Sequence, residues 1–435
     1  MRILEELRGE GLIEADAHGV RPGPTVAEQL AFAWPVEGPV GEAEVLAAAD
    51  RLSPEIAGAR ARIGVVGGRA WQASFYPNPT LDVESENLRP GNGDFGVSQS
   101  TIGLSQPIIV SDRRDAAIAS GLAYVSAERL ELEATRRRVH GAIRRELREV
   151  AYLREAIERH EVLRDIAERT LEIASARFEV RAAPESETIR ARVEYNSLGI
   201  AIDRLRGDLA VSAERLAAHL GGRGVPLARV VVAPVPRHWS LPPLEELAAS
   251  VRSTHPAVLA ALARVEGAQR EVDLERAHRY PDVTARIGVG VDHLDDRGFI
   301  EAGVEVPLPI LNANEGNILA ARFSVIERRE RLNAVTSELL GRLGEAYRRW
   351  ESAAGRLAAF EENVLNDAQR AYDQAKDGYE AGSLAFLDLL DAQRTLTEAS
   401  IAQVELLRVV SHSLADIHEV VDEPFNHLNA TGDAP

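Results

Sequence analysis

From 108 to 183 the chain has no proline and only two glycines, Gly121 and Gly141. Apolar residues recur there at Ile118, Leu122, Val125, Leu132, Val139, Ile143, Val150 and Ile157. Steps of three, four and seven mark a heptad-like seam, so the span reads as one helix. A helix of about 70 residues is roughly 100 Å long at ~1.5 Å per residue, a rod that no ordinary globular domain needs. A second proline-free span, 310–423, places Leu365, Ala368, Tyr372, Ala375 and Tyr379 at alternating steps of three and four. The spacing resumes after Gly382 at Leu389, Ala392, Leu396 and Ala399. Taken alone, these helices fit a plain coiled-coil rod.

The two spans belong to a duplication. Residues 53–88 and 255–294 each begin with X-Pro, run about twenty helical residues and break at Tyr76-Pro77 and Tyr280-Pro281, and an alternating segment follows. TIGLSQPIIV around Pro107 matches AGVEVPLPIL around Pro307, and ARFEVRAAPESETIRARVE around Phe178 matches DGYEAGSLAFLDLLDAQ around Tyr379. All offsets are close to 200 residues. A solenoid would show more and shorter copies; two long copies imply one fold unit used twice. The expected organisation is an unplaced segment 1–42, a first repeat 43–222, a Pro-rich linker 223–243, a second repeat 244–423 and a flexible tail 424–435. The first repeat holds a short helix, a β-hairpin at about 79–107 and long helices 111–183 and 185–221. The second holds a helix, a hairpin at about 281–308 and long helices 313–380 and 384–421. The fold class is mainly α with a small β part.

Period-two alternation marks the hairpins. Val283, Ala285, Ile287, Val289 and Val291 share one face, against Asp282, Thr284, Arg286, Gly288, Gly290 and Asp292 on the other. Ile300, Ala302, Val304 and Val306 alternate with Phe299, Glu301, Gly303 and Glu305. In the first repeat Leu81 and Val83 alternate with Asp82, Glu84 and Glu86, the turn is RPGNGD, and Ser100, Ile102 and Leu104 alternate with Thr101, Gly103 and Ser105. Such strands carry one apolar and one polar face. About ten residues is the length that crosses a tilted bilayer span. Trp71, Phe75, Tyr76, Phe95, Tyr280 and Phe299 lie near the strand ends, as interfacial girdles do. Lipid forbids open sheet edges, and known single-chain barrels start at about eight strands. Four strands therefore close only with other chains, and three copies supply twelve, with the polar face toward a water-filled lumen.

Composition removes other classes. The formal net charge of −18 opposes nucleic-acid binding, and the basic run Arg136-Arg137-Arg138 sits among glutamates as a solvated helix face. There is no cysteine, so disulfides, thiolate metal sites and N-terminal lipidation on cysteine are excluded. No apolar run approaches the roughly 18 residues of a membrane helix. No P-loop or Gly-x-Ser-x-Gly elbow is present, and the 11 histidines are scattered. His412 and His418 are six apart rather than four, and His255 and His278 flank a helix. No catalytic, cofactor-binding or metal site is expected, and no cofactor. The chain reads as a non-enzyme. No secretory signal peptide is legible; the expectation is that the true start lies upstream or that a leader has been replaced.

The layout from about Glu44 to Val421 resembles the TolC-type outer-membrane efflux proteins. The most specific pieces are YPNPTLDVESEN (76–87), LSQPI (104–108), VPLPILNANEGNI (306–318) and YEAGSLAFLDLLDAQRTLTEA (379–399). The first and third resemble the heavy-metal branch of CzcC- and CusC-like channels. The resemblance implies a homotrimer with a twelve-stranded barrel in outer-membrane lipid and an α-helical barrel across the periplasm. It also implies a helical tip docked on a periplasmic adaptor (membrane fusion protein) that links it to an inner-membrane pump of the RND type. It assigns Asp388 and Asp391 to the periplasmic aperture and Tyr379 to holding that aperture closed. It places the adaptor-docking tips at Gly382, Ser383 and Leu384 and at Arg181 and Ala182. Two departures stand out: Leu384 occupies the place of a basic latch partner, and Arg181 followed by Pro184 stands where the first tip would have glycine. One turn apart, Asp388 and Asp391 share a helix face, and six carboxylates around a trimeric pore would select cations. The competing reading is a soluble coiled-coil scaffold or tether with two hairpins. A third, the adaptor itself, would need lipoyl-like and barrel segments that the chain lacks. For the exported substrate, which the residues themselves do not specify, the resemblance to the heavy-metal branch implies metal cations, with small toxic compounds close behind.

Overall fold

The computed structural model describes residues 2–16, 19–22, 34, 38–86, 99–232, 241–293 and 295–421. The turn RPGNGD with Phe95, the tail 424–435, residues 233–240 of the linker and part of the segment 1–42 lie outside the described residues. In chain order the elements are α1 (Arg2–Gly9), β1 (Ile13–Asp16), β2 (Gly19–Pro22), α2 (Glu42–Leu52), α3 (Pro54–Gln72), β3 (Thr80–Glu86) and β4 (Gln99–Ile108). Then come α4 (Arg113–Glu179), α5 (Glu185–His219), α6 (Leu244–Thr254), α7 (Pro256–Ala277), β5 (Val283–Asp292) and β6 (Arg297–Glu305). The last are α8 (Glu315–Phe360), a π-helical turn (Glu361–Leu365), α9 (Asn366–Glu380) and α10 (Phe386–Val420). Helices start where proline fixes the first turn, at Pro54 and Pro256. The proline-free span expected as a long helix is α4, 67 residues without a break.

The chain divides into two compact units, and each takes segments from both repeats. One comprises Met1–Glu28, Ala59–Leu132 and Pro256–Val335; the other comprises Gln29–Gly58, Glu133–His255 and Thr336–Pro435.

The first unit holds an antiparallel sheet of order β3-β4-β5-β6. The two hairpins join along β4 and β5, which pair from Gln99↔Asp292 to Ile108↔Val283. Register stacks side chains in rows: Val83, Ile102, Val289 and Ile300 form one, and Leu81, Leu104, Ile287 and Ala302 the next. This apolar face is uncovered: Val83 is 74% and Ile300 77% exposed. The helical core of this unit is Ile63 and Ala70 of α3 against Val125 of α4, with Leu7 and Leu12 from the chain's start packed among them. Arg129 anchors that start by ion pairs to Glu6 (3.3 Å) and Glu10 (2.6 Å). The segment that resembled nothing in the sequence is thus, in its described part, a helix and a two-stranded ribbon bound to α3 and α4.

The second unit is helical. Its α4 portion buries Ile143, Leu147, Val150, Leu153, Ala156, Leu163, Ala167, Thr170 and Ala174. Ile157, expected on this seam, is only half-buried beside Leu153 and Ala156, because an α-helix of 3.6 residues per turn drifts from a seven-residue repeat.

The second helical span was expected to run unbroken from 313 to 380, and the π-turn interrupts it. Helix α8 buries Leu339, Leu343, Ala346, Trp350, Ala353 and Leu357 at alternating steps of four and three. Further steps of three, four and three from Leu357 reach position 367. The stripe instead resumes at Ala368, then Tyr372, Ala375 and Tyr379, one residue late. The extra residue is accommodated in a wider turn, the usual origin of a π-bulge. Asn363 Nδ2 donates to the Ala359 carbonyl (3.0 Å) and Asn366 Nδ2 to the Glu361 carbonyl (3.4 Å), and Gln403 of α10 donates to Glu361 Oε1 (2.8 Å). Deleting Asn363 should therefore restore one continuous stripe and leave the thermal midpoint within a few degrees of wild type. Deleting Ser352 should rotate one half of the stripe out of the core and cost several kcal/mol, at roughly 1.5–3 kcal/mol per large side chain exposed. Circular dichroism melts of the two deletions make the comparison.

Candidate functional site

Two helical turns in the second unit have the same backbone. At the end of α4, Ala182 N–H donates to Arg177 O (2.8 Å) and Arg181 N–H to Phe178 O (2.9 Å). At the end of α9, Ser383 N–H donates to Gly378 O (2.8 Å) and Gly382 N–H to Tyr379 O (3.0 Å). Each pair is the Schellman closure of a helix. It needs a left-handed residue, and Gly382 has φ +77° while Arg181 has φ +59°. The arginine that departs from the glycine pattern adopts the glycine conformation, at a cost of about 1 kcal/mol. The geometry of the first tip is therefore that of the second. Leu384, without a charge to offer, lies over Gly378, and Arg181, Ala182, Gly382, Ser383 and Leu384 are all exposed.

Tyr379 is 1% exposed. Its hydroxyl donates to Glu187 Oε2 (2.7 Å), on the first turn of α5. The Arg177 guanidinium stacks 4.4 Å from its ring centroid and donates from Nη1 to its carbonyl (2.6 Å). Phe386 closes the other side, edge-on at 5.7 Å. Burial first, then the bond and charge of Glu187, push the Tyr379 phenol up to about 12. Arg177, from the other tip, is thus the cation in contact with Tyr379. Neither Arg177 nor Glu187 was singled out in the sequence. The usable signal was the repeat alignment, which sets Glu187 opposite Asp388 and Phe178 opposite Tyr379.

Asp388 and Asp391 lie exposed at the start of α10. Asp388 Oδ2 accepts the Ala385 N–H (3.0 Å), closing the first turn of the helix. Among the described residues the Asp391 carboxylate has no cationic partner. No group of three or more ligating side chains forms a metal site among the described residues.

The polar face of the sheet is the second candidate. It presents Asp82, Glu84, Glu86, Asp292, Glu301 and Glu305 against Arg286 and Arg297. Phe299, placed by sequence among interfacial aromatics, belongs to this face and covers Gly290, where an added Cβ would run into its ring. Tyr76 and Tyr280, just before the first strand of each hairpin, are 65% and 63% exposed.

A family model described as outer membrane efflux protein matches residues 46–222 and 247–420. The chain belongs to the outer membrane efflux protein family. The cobalt-zinc-cadmium resistance protein CzcC of Cupriavidus metallidurans is 29% identical over 349 residues, 78% of this chain and 80% of that protein. Among solved structures, the outer membrane protein VceC of Vibrio cholerae superposes with a TM-score of 0.69 at 21% identity, covering 87% of this chain and 95% of its own. CusC superposes at 0.71 with 14% identity, covering 89% and 95%. This efflux-family fold is what the duplicated helix–hairpin–helix-pair layout builds.

Two measurements check the tip chemistry. Arg181→Gly should stabilise the fold by about 1 kcal/mol and Gly382→Ala destabilise it by about as much, in chemical denaturation. The raised Tyr379 pKa means that its bond contributes fully below the unfolded value near pH 10 and is lost as pH rises through about 12. The difference ultraviolet titration between wild type and Tyr379→Phe should show one phenol ionising at about pH 12.

Proposed function

We propose that this chain is one protomer of a trimeric outer-membrane efflux channel, a passive conduit rather than an enzyme. The observation that carries the reading is the sheet whose apolar face is uncovered while its polar face holds the ion pairs. In water that arrangement is inside out; across a bilayer it is the required one. The outer edges of β3 and β6 have no strand partner among the described residues. Edge-to-edge closure of three sheets gives twelve strands and leaves no backbone group unpaired in lipid. A soluble scaffold or tether, by contrast, would leave the apolar face with nothing to cover it.

In this reading the tips meet a periplasmic adaptor joined to an inner-membrane pump of the RND type. The shared Schellman geometry supports docking at Arg181 and Ala182 on one tip and at Gly382, Ser383 and Leu384 on the other. Tyr379, held by Glu187 and Arg177, keeps the two tips together and the aperture narrow. Asp388 and Asp391 ring that aperture, six carboxylates in the trimer, and favour cations. Metal cations are the leading cargo, the class carried in the name of the CzcC relative; small toxic compounds come second. Because conduction requires release, the conduit needs no tight metal site.

Light scattering in detergent should give a trimer, and planar-bilayer recording should give discrete cation-preferring steps. Asp388→Asn with Asp391→Asn keeps the helix cap and should reduce both cation preference and block by divalent cations. A monomer that never inserts would remove the channel reading, and unchanged selectivity would remove the aperture assignment alone.

A further inference from the structure

We infer that Arg286 is a specificity-determining residue of the strand-lined part of the conduit, setting how strongly that part prefers cations. The inference rests on the channel reading above. Arg286 stands mid-way along β5 on the polar face, in the row Thr80, Ser105, Arg286 and Gly303. The next row is Asp82, Gly103, Gly288 and Glu301, and the one after is Glu84, Thr101, Gly290 and Phe299. Arg286 Nη2 donates to Glu84 Oε2 (2.9 Å), and its Nε lies 3.3 Å from Glu301 Oε1, an ion pair without hydrogen-bond alignment. One guanidinium thus spans the sheet and neutralises a carboxylate on each edge strand.

The glycines of the middle strands make this possible. A Cβ on Gly103 would stand 3.4 Å from Arg286 Nε, and one on Gly288 would stand 2.9 Å from Glu301 Oε1. Side chains there would lift the network off the sheet. Asp82, at the end of the same row, takes a hydrogen bond from Ser105 and forms no ion pair among the described residues. The face is therefore acidic, with Arg286 muting two of its acids. In a trimer, three such residues would counter six carboxylates around a closed lumen.

The test uses the full chain in planar bilayers with a potassium chloride gradient at about 0.1 M or below, where screening over about 10 Å leaves lumen charge visible. Arg286→Gln should raise the cation-to-anion permeability ratio about threefold or more and deepen block by cobalt chloride. Glu84→Gln with Glu301→Gln should shift the ratio toward anions. Arg286→Lys, which keeps the charge but not the fork, should stay near wild type. One ratio shared by all variants would overturn the inference while wild-type conduction leaves the channel reading standing. Loss of channels in Arg286→Gln but not in Arg286→Lys would overturn it too, by making the residue one of assembly. A wild-type chain that never conducts defeats the channel reading itself.

Discussion

The ten-residue ladder between β4 and β5 ties together segments that lie almost 200 positions apart in the chain. Its hydrogen bonds are the point at which two copies of a unit become one sheet. Because the side-chain period of a strand is two, a slip of one residue along this ladder would exchange the faces. Val289 and Ile287 would then stand among Asp82 and Glu84, and Arg286 would join the apolar rows. Correct alternation within each hairpin would have little use if the hairpins met out of step. The rows that cross all four strands without a break exist because this one register holds.

What the ladder does for the sheet, Tyr379 does for the helical turns. A phenol, a carboxylate from the other tip and a guanidinium stacked on the ring link residues separated by about the same distance in sequence. Burial and Glu187 move the phenol still further above its ordinary value, and it is a donor to Glu187 at any physiological pH. The turns themselves are built from unlike residues. Gly382 adopts its left-handed conformation freely, whereas Arg181 adopts it under strain, which the hydrogen bonds of the turn must offset.

Strand parity was legible because alternation is a local property: Leu81 and Val83, or Ile287 and Val289, announce a face without reference to any partner. The helical stripe from Ala368 to Tyr379 was legible for the same reason. Gly382 and the aspartates after it came from a resemblance rather than from spacing. The π-turn was hidden because a single added residue hardly disturbs a periodic pattern unless the stripes on both sides are counted together. Arg177 and Glu187 were hidden because charged residues crowd every helix of this chain, and only distance in space separates a pair that touches. The fold of the chain's start was hidden because Leu7 and Leu12 are two apolar residues in a short stretch, and their burial depends on a groove between α3 and α4.

The π-turn also has a consequence for how the two halves of the long helix face their neighbours. In an unbroken helix the angle at which the far end faces its neighbours is inherited from the near end, so neither can drift alone. One supernumerary residue at Glu361–Leu365 resets that angle by one residue's rotation. Helix α8 keeps its own stripe and α9 keeps another, and the π-turn sets the angle between them. The two stripes are thus offset by one residue within a single continuous rod, and each half packs on its own neighbours.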